Sequence, residues 1–222
     1  MARAFQAAVF DFDYTLADSS HGIVECANYA LGQLGLAAAP AERIHALIGL
    51  SLKDMFGALH GEPRGSSADQ FAALFIEHAD QVMGDLTVVY PWVPAAIRRL
   101  GALGILLGIV STKFRYRIDA VLRRERLRDC FRAIVGGEDV AAFKPDPEGL
   151  IKAIEAMGVR REVAVYVGDS VTDADTARRA GVPFVAVLSG VTARESFQPY
   201  PCYGILRDVS ELPDLVALPR SG

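Results

Sequence analysis

The stretch "AAVFDFDYTLADSS", from Ala7 to Ser20, places acidic residues directly after a short apolar run. A short apolar run bounded by polar residues is typical of a strand that is buried on both faces. Asp11 and Asp13 follow at once, and side chains two residues apart in an extended chain point to the same side. Both carboxylates therefore face one ligand, and their mutual repulsion indicates that a positive partner belongs there.

Apolar runs of the same kind recur along the chain and alternate with helical patterns. This alternation predicts an α/β fold with a doubly wound parallel sheet that is covered on each side by helices. Ligands bind such sheets beyond the carboxyl ends of the strands, so the residues that follow each run are candidates for a site. The predicted strands are Ala7–Phe10, Ile105–Val110, Ala133–Val135, Val163–Val167 and Phe184–Leu188.

Polar residues of complementary type follow four of these runs. Phosphoryl transfer needs a nucleophile, a proton donor and positive or hydrogen-bonding groups around the phosphate oxygens. Asp11 can attack phosphorus, while Asp13 can protonate the leaving oxygen and then activate water. The candidates for binding the phosphate oxygens are Ser111, Thr112 and Lys144.

The carboxylates also indicate a metal site. Asp169 follows the fourth predicted strand, where it would join Asp11 and the backbone at Asp13 around an oxygen-loving Mg²⁺. The metal and Lys144 would then be the positive partners of the acidic cluster. A plainer interpretation is that Asp169 and Asp173 cap a helix beginning near Thr172.

A long excursion separates the first two predicted strands. It runs for about 70 residues, far more than a usual βα loop, and therefore needs structure of its own. Ile23, Ala27 and Leu31 recur at helical spacing, as do Phe71 and Phe75. We predict a helical domain of residues 16–86, inserted over the catalytic edge of a core formed by residues 1–15 and 87–222. Residues 60–67 are predicted to form a loop within it.

Cations in and near this insertion are candidates for substrate recognition. Arg43 and Lys53 lie within the insertion, and Lys113 follows the second predicted strand. A lysine or arginine facing the cleft would favour an anionic substrate. Arg115 and Arg117 are instead expected on the exposed face of the following helix.

Composition narrows the classes of partner. The chain has 222 residues and a net charge of −4, with no long basic run that could follow a nucleic acid backbone. No apolar segment approaches the length of a membrane span, and three dispersed cysteines fit a reducing compartment. We expect a cytoplasmic protein, monomeric or homodimeric, that acts on a small-molecule phosphate ester and binds neither nucleic acid nor membrane.

The polar clusters, taken in order, resemble the four motifs of the haloacid dehalogenase-like hydrolase superfamily. They read "DFDYTL" from Asp11, Ser111 after "LGIV", "KPDP" from Lys144, and "GDS" from Gly168 followed by Asp173. The segments "IGLSLKDMF" (Ile48 to Phe56) and "GGEDVAAFKPDPEGL" (Gly136 to Leu150) are most similar to the phosphoglycolate phosphatase branch.

The resemblance implies a Rossmann-like catalytic core, a helical cap domain, Mg²⁺ dependence and hydrolysis of a small phosphomonoester through an aspartyl-phosphate. It makes Asp11 the nucleophile and Asp13 the acid/base, with Asp169 as a metal ligand and Asp173 next to the ligands. Ser111 and Lys144 become the phosphate binders. The chain departs from the family pattern at Tyr14, where many members have glycine.

Four other functions share parts of this pattern. A phosphomutase similar to β-phosphoglucomutase uses the same aspartate pair but returns the phosphoryl group to a sugar hydroxyl, and a pyrophosphatase would take another anionic substrate. A receiver domain uses a phosphorylated aspartate as a switch, but it carries no insertion of this size. A dehalogenase would not need Asp13.

Overall fold

The computed structural model of the protein describes residues 5–61 and 65–217. Its main sheet has six parallel strands in the order β5-β4-β1-β6-β7-β8. These strands are β1 (Ala7–Phe10), β4 (Leu106–Val110), β5 (Ala133–Val135), β6 (Ala164–Gly168), β7 (Phe184–Val187) and β8 (Cys202–Leu206). A separate two-stranded sheet consists of β2 (Ala17–Asp18) and β3 (Val88–Val89). The predicted α/β parallel sheet is confirmed, and β8 is a strand that the sequence pattern did not predict.

The order of the six strands places the carboxyl end of β1 at a reversal of the topology. From β1 the chain continues to β4 and β5 on one side, and then returns to β6, β7 and β8 on the other. This is the arrangement of a doubly wound sheet, in which ligands bind where the winding direction changes. The residues that follow β1 and β6 are therefore neighbours at the switch point.

Helices cover both faces of the sheet because its strands are apolar on both sides. Along β1, Ala8 and Phe10 contribute to one hydrophobic cluster, whereas Ala7 and Val9 contribute to the other. This division follows from the two-residue period of a strand. The helices that accompany the six-stranded sheet are α5 (Val93–Ala102), α6 (Arg115–Arg124), α7 (Glu148–Met157), α8 (Val171–Ala180) and α9 (Leu212–Ala217).

The chain forms two compact units. One consists of the described residues up to Ala17 together with those from Val89 onward, and the other is Asp18–Val88. The second unit has its own apolar core, with Leu31, Ile44 and Phe71 fully buried. Its helices are α1 (Ser20–Gln33), α2 (Ala41–His45), α3 (Leu52–His60) and α4 (Ser66–Val82).

Local signals account for the ends of several helices. Ser51 caps α3 by accepting a hydrogen bond from the Asp54 backbone N–H, and Gly61 ends that helix in the left-handed conformation. The predicted loop of residues 60–67 is shorter than expected, because α3 extends to His60 and α4 begins at Ser66; residues 62–64 lie outside the described residues. In the described ranges, no helix combines the length and apolar character of a membrane span.

Candidate active site

Asp11 lies at the carboxyl end of β1, between the two halves of the sheet. Its backbone N–H donates to the Val167 carbonyl at 2.9 Å, which continues the ladder between β1 and β6. One carboxylate oxygen, Oδ2, lies 2.9 Å from the Lys144 ammonium. The other, Oδ1, is buried and has no hydrogen-bond partner in the structure. Because an unpaired buried oxygen is costly, Oδ1 marks the place where a ligand belongs.

Lys144 reaches this point from the loop between β5 and α7. Its Nζ donates to Asp173 Oδ1 at 2.7 Å and contacts Asp11 on the other side. Burial by itself lowers the pKa of Lys144, but the charges of Asp11 and Asp173 outweigh it and hold the pKa above its ordinary value. The lysine is therefore a permanent cation at the site.

Asp169 and Asp173 are placed by the start of α8. Ser170 caps the helix, since its hydroxyl accepts from the Asp173 backbone N–H at 3.2 Å while Asp173 Oδ2 accepts from the Ser170 N–H at 3.2 Å. The plainer interpretation therefore holds in part: Asp173 is the capping-box partner, but the N-cap residue is Ser170 and not Asp169. It also bonds Lys144, and its Oδ1 accepts a hydrogen bond from the buried Tyr166 hydroxyl at 2.9 Å.

Three carboxylates converge here. Asp11, Asp169 and Asp173 each offer an oxygen, and these oxygens lie within 4.8 Å of one another. Burial raises the pKa of the Asp11 carboxyl to about 7, against the attraction of Lys144. Burial raises the pKa of Asp169 well above its usual range, and the charges of Asp173 and Asp11 add to the effect. One lysine does not compensate the cluster, so a further cation would stabilise it.

The donor set fits Mg²⁺. This ion prefers oxygen ligands and takes few carboxylates, keeping several waters. Asp11 Oδ1 is unpartnered, and Asp169 Oδ1 accepts a hydrogen bond from the Thr15 hydroxyl at 3.2 Å. Asp173 differs, because Lys144, Tyr166 and Ser170 already bond both of its oxygens. Asp11 and Asp169 are therefore the better candidates for metal ligands.

Asp13 has a different partner. Lys113 Nζ donates to both Asp13 carboxylate oxygens, at 3.0 and 3.4 Å. The two side chains are buried, with exposed fractions of 5% for Lys113 and 9% for Asp13. The first aspartate of the motif thus contacts Lys144, and the second contacts Lys113.

Ser111 and Thr112 begin the loop that follows β4. Ser111 is buried, and its backbone N–H donates to the Val135 carbonyl at 3.1 Å. A cavity of about 10 Å³, roughly the space for one water, is lined by both residues together with Lys144 and Gly136. The three predicted phosphate-binding residues are therefore brought together around one small space.

The sequence comparison adds the family to this geometry. Residues 8–187 match the sequence profile of the haloacid dehalogenase-like hydrolases. The chain belongs to this family. Among its relatives is a phosphoglycolate phosphatase from Rhodospirillum rubrum, 33% identical over 98% of this chain and 93% of that protein. A phosphoglycolate phosphatase from Cereibacter sphaeroides is 32% identical, over 94% of this chain and 96% of the relative.

Solved structures agree with the family. A haloacid dehalogenase-like hydrolase from Bacteroides fragilis superposes with a TM-score of 0.91 and is 40% identical, covering 94% of this chain and 99% of its own. A predicted phosphatase from Clostridium acetobutylicum gives a TM-score of 0.87 at 22% identity, over 95% and 97% of the two chains, and so supports the fold.

In this haloacid dehalogenase-like hydrolase, the turn after Asp13 is unusual. Tyr14 has φ of 62°, in the left-handed region that favours glycine. The Ser189 hydroxyl donates to the Tyr14 carbonyl at 2.6 Å, and the Tyr90 hydroxyl donates to the Ser189 carbonyl at 3.3 Å. The turn is therefore tied to the loop after β7, which sequence reasoning did not connect with the site.

The remaining predicted specificity residues, Arg43 and Lys53, make local contacts, as do Arg115 and Arg117, which the sequence predicts on an exposed helix face. Within the helical unit, the Arg43 guanidinium donates to the Ala58 and Leu59 carbonyls, and Lys53 pairs with Asp69 at 2.5 Å. On the other unit, Arg115 is half exposed and bonds Asp139 at 2.9 Å. Arg117 lies over the rings of Phe114 and Tyr116.

Other residues at the site were not predicted. Thr15 fixes Asp169, Tyr166 fixes Asp173, and Gly190 lies directly against Asp169. The available signals were a threonine inside the "DFDYTL" motif and a tyrosine inside an otherwise aliphatic strand. For Gly190 the sequence carried no signal, because its role depends on a contact between distant segments.

Proposed function

We propose that this hydrolase is a Mg²⁺-dependent phosphatase that cleaves a small, phosphoglycolate-like phosphomonoester through an aspartyl-phosphate. The proposal rests on the contacts that the two oxygens of the Asp11 carboxylate make. One oxygen is held by the Lys144 ammonium, while the other is buried and unpartnered at the switch point of the sheet. A fixed carboxylate at this place can offer one oxygen for in-line attack on phosphorus and the other to a cation. The names of the curated relatives supply the substrate class.

Two residues would hold the metal, with the backbone at Asp13 as a further ligand. Asp11 and Asp169 offer the oxygens, and Thr15 and Gly190 keep Asp169 in place. When bound, Mg²⁺ supplies positive charge beside the transferring phosphoryl group. Lys144 supplies a second charge from the protein itself, and the hydroxyls of Ser111 and Thr112 supply hydrogen bonds to the phosphate oxygens.

The proposed reaction has two steps. In the first, a bond forms between an Asp11 oxygen and phosphorus, the bond from phosphorus to the ester oxygen breaks, and Asp13 gives its proton to that oxygen. In the second, a water oxygen bonds to phosphorus and gives a proton to Asp13, while the acyl-phosphate bond breaks and restores Asp11. Inorganic phosphate and an alcohol are the products.

We further propose that residues Asp18–Val88 act as the cap domain of this hydrolase. A cap excludes water and contacts the part of the substrate remote from phosphorus. Arg43 and Lys53 are exposed cations of this unit and are the proposed specificity residues.

Phosphate release tests the proposal. The panel contains 2-phosphoglycolate, pyrophosphate, glucose phosphates and nucleoside monophosphates, each with Mg²⁺, beside the Asp11→Asn variant. We expect strong preference for one small anionic monoester and no turnover by the variant. Phosphatase activity in the Asp11→Asn variant would refute the assignment of Asp11 as the nucleophile. Interconversion of glucose phosphates without phosphate release would show that the protein is a phosphomutase and not a phosphatase.

A further inference from the structure

The Lys113–Asp13 pair is a buried contact that the phosphatase mechanism does not require by itself. The ammonium bonds both carboxylate oxygens, at 3.0 and 3.4 Å, and both side chains are almost completely removed from solvent. Burying two charges costs desolvation energy, and an apolar pair of similar volume often gives equal stability. Stability is therefore a weak reason for placing a lysine here.

The backbone fixes where the lysine lies. Its N–H donates to the Ser111 hydroxyl at 3.3 Å, and its carbonyl accepts from the Gly137 N–H at 3.1 Å. β4 also lies beside β1, with Phe10 in register with Ile109, so the loop after β4 emerges next to the loop after β1. The ammonium lies 5.9 Å from the centre of the Phe12 ring. Lys113 thus comes from a rigid part of the core.

Asp13, in contrast, lies where the chain leaves β1. The next residue, Tyr14, already has a left-handed backbone, and Asp13 forms only an isolated bridge with Ala17. A two-point contact from Lys113 restricts the rotation of the Asp13 side chain, as a single hydrogen bond would not. Asp11 differs, because Lys144 contacts it at one oxygen, Oδ2.

We propose that Lys113 is the positioning residue of Asp13, setting its carboxyl group for proton transfer to the leaving oxygen. The inference rests on the proposed function, because it assigns a step of that reaction. Proton transfer requires close approach of donor and acceptor, and a displacement of about 1 Å can cost on the order of 10²-fold in rate. The loss should appear only where the leaving oxygen needs a proton.

The test compares two leaving groups. An alkyl phosphate such as 2-phosphoglycolate releases a basic alkoxide that needs the proton, whereas p-nitrophenyl phosphate releases a stable phenolate that does not. We measure kcat/KM, which reports the transfer to Asp11, for the wild type and for the Lys113→Met, Lys113→Arg and Asp13→Asn variants. Lys152→Met is the matched control, because Lys152 forms a half-exposed pair with Glu148.

For Lys113→Met we expect kcat/KM to fall about 10²-fold on the alkyl phosphate and less than about 3-fold on the aryl phosphate. Asp13→Asn should show the same selectivity, Lys113→Arg should recover part of the loss, and Lys152→Met should match the wild type. A burst of nitrophenolate should appear in Lys113→Met, because hydrolysis of the phosphoenzyme also needs Asp13.

Other results would overturn the inference. Equal losses on both substrates would make Lys113 a structural residue, and a rise in KM for the anionic substrate alone would make it a substrate-binding residue. If Lys113→Met fails to fold, Lys113→Arg must still lose more on the alkyl than on the aryl phosphate. A wild-type protein inactive on every phosphate ester would refute the proposed function as well, whereas an active wild type with an unselective Lys113→Met refutes the inference alone.

Discussion

Gly190 lies so close to Asp169 that a residue with a side chain would not fit at position 190. A Cβ built on Gly190 would stand 2.0 Å from Asp169 Oδ2 and 2.8 Å from its Cγ. Gly190 belongs to the loop after β7, whereas Asp169 follows β6. The two loops thus meet at the candidate metal ligand, and the absence of a side chain on one sets the position of the carboxylate on the other.

The first prediction follows from this contact. Gly190→Ala should displace the Asp169 carboxylate, lowering kcat/KM by at least about 10²-fold and raising the Mg²⁺ concentration needed for half-maximal activity. The control is Gly101→Ala in α5. A Cβ at this position would meet nothing within 4 Å, so the variant should keep wild-type activity. Wild-type metal dependence in Gly190→Ala would argue against Asp169 as a ligand.

The second prediction concerns the pH dependence of stability. The pKa of Asp11 is raised from 3.8 to about 7, mainly by burial, so the folded metal-free protein binds this proton more tightly than the unfolded chain does. The stability contributed by Asp11 is therefore complete below pH 4 and is lost as the pH rises from about 4 through 7. Above that window the ionised carboxylate destabilises the fold.

Asp11→Asn removes this cost. In the metal-free protein we expect its Tm to exceed that of the wild type by on the order of 5 °C at pH 8, with a smaller difference at pH 5. Thermal unfolding followed by circular dichroism in the presence of EDTA measures both. A larger difference at pH 5 than at pH 8 would contradict the raised pKa.

The third prediction concerns the metal. Mg²⁺ should raise the Tm of the wild type, because an ion that binds only the folded protein stabilises it by mass action. Asp169→Asn should lose most of this rise, while the exposed-surface variant Asp69→Asn should keep it. Chelation should abolish phosphate release, and excess Mg²⁺ should restore it. An equal rise in Tm for Asp169→Asn and the wild type would place the ion elsewhere.

The fourth prediction tests the backbone at Tyr14. Tyr14→Gly and Tyr14→Ala both remove the same buried ring, but only glycine adopts φ of 62° without steric cost. Tyr14→Gly should therefore be more stable than Tyr14→Ala by about 1 kcal/mol, as measured by urea unfolding. This order reverses the usual preference for alanine over glycine, so a more stable alanine variant would show that the turn is not left-handed in solution.

The strands and the residues at their ends could be predicted from the sequence because their signals are local. A short apolar run such as Ala7–Phe10 matches the bounds of β1, and the parallel arrangement then brings Asp11 and Asp169 to the same edge. Sequence order also predicts an insertion after β1. These features depend on the residue types within a short stretch and on the order of the stretches along the chain, and both can be read from the sequence.

Contacts between distant side chains could not be predicted in the same way. The sequence shows Lys113 two residues beyond Ser111, but a long side chain can point toward substrate or toward a carboxylate, and only the structure shows it on Asp13. β8 was not predicted because its residues are partly exposed at the sheet edge and do not form a clear apolar run. Neighbouring residues do not determine either feature.

The central position of β1 has a consequence for the emergence of the chain from the ribosome. Ala7 pairs with Leu106 on one side and with Ala164 on the other. This fully buried strand is therefore synthesised before both of its neighbours, and its partner β6 begins only at Ala164. During translation its apolar side chains are open to wrong partners, and such long-range pairing is slow. Shielding of β1 during synthesis should therefore favour correct folding, a requirement that the folded enzyme no longer has.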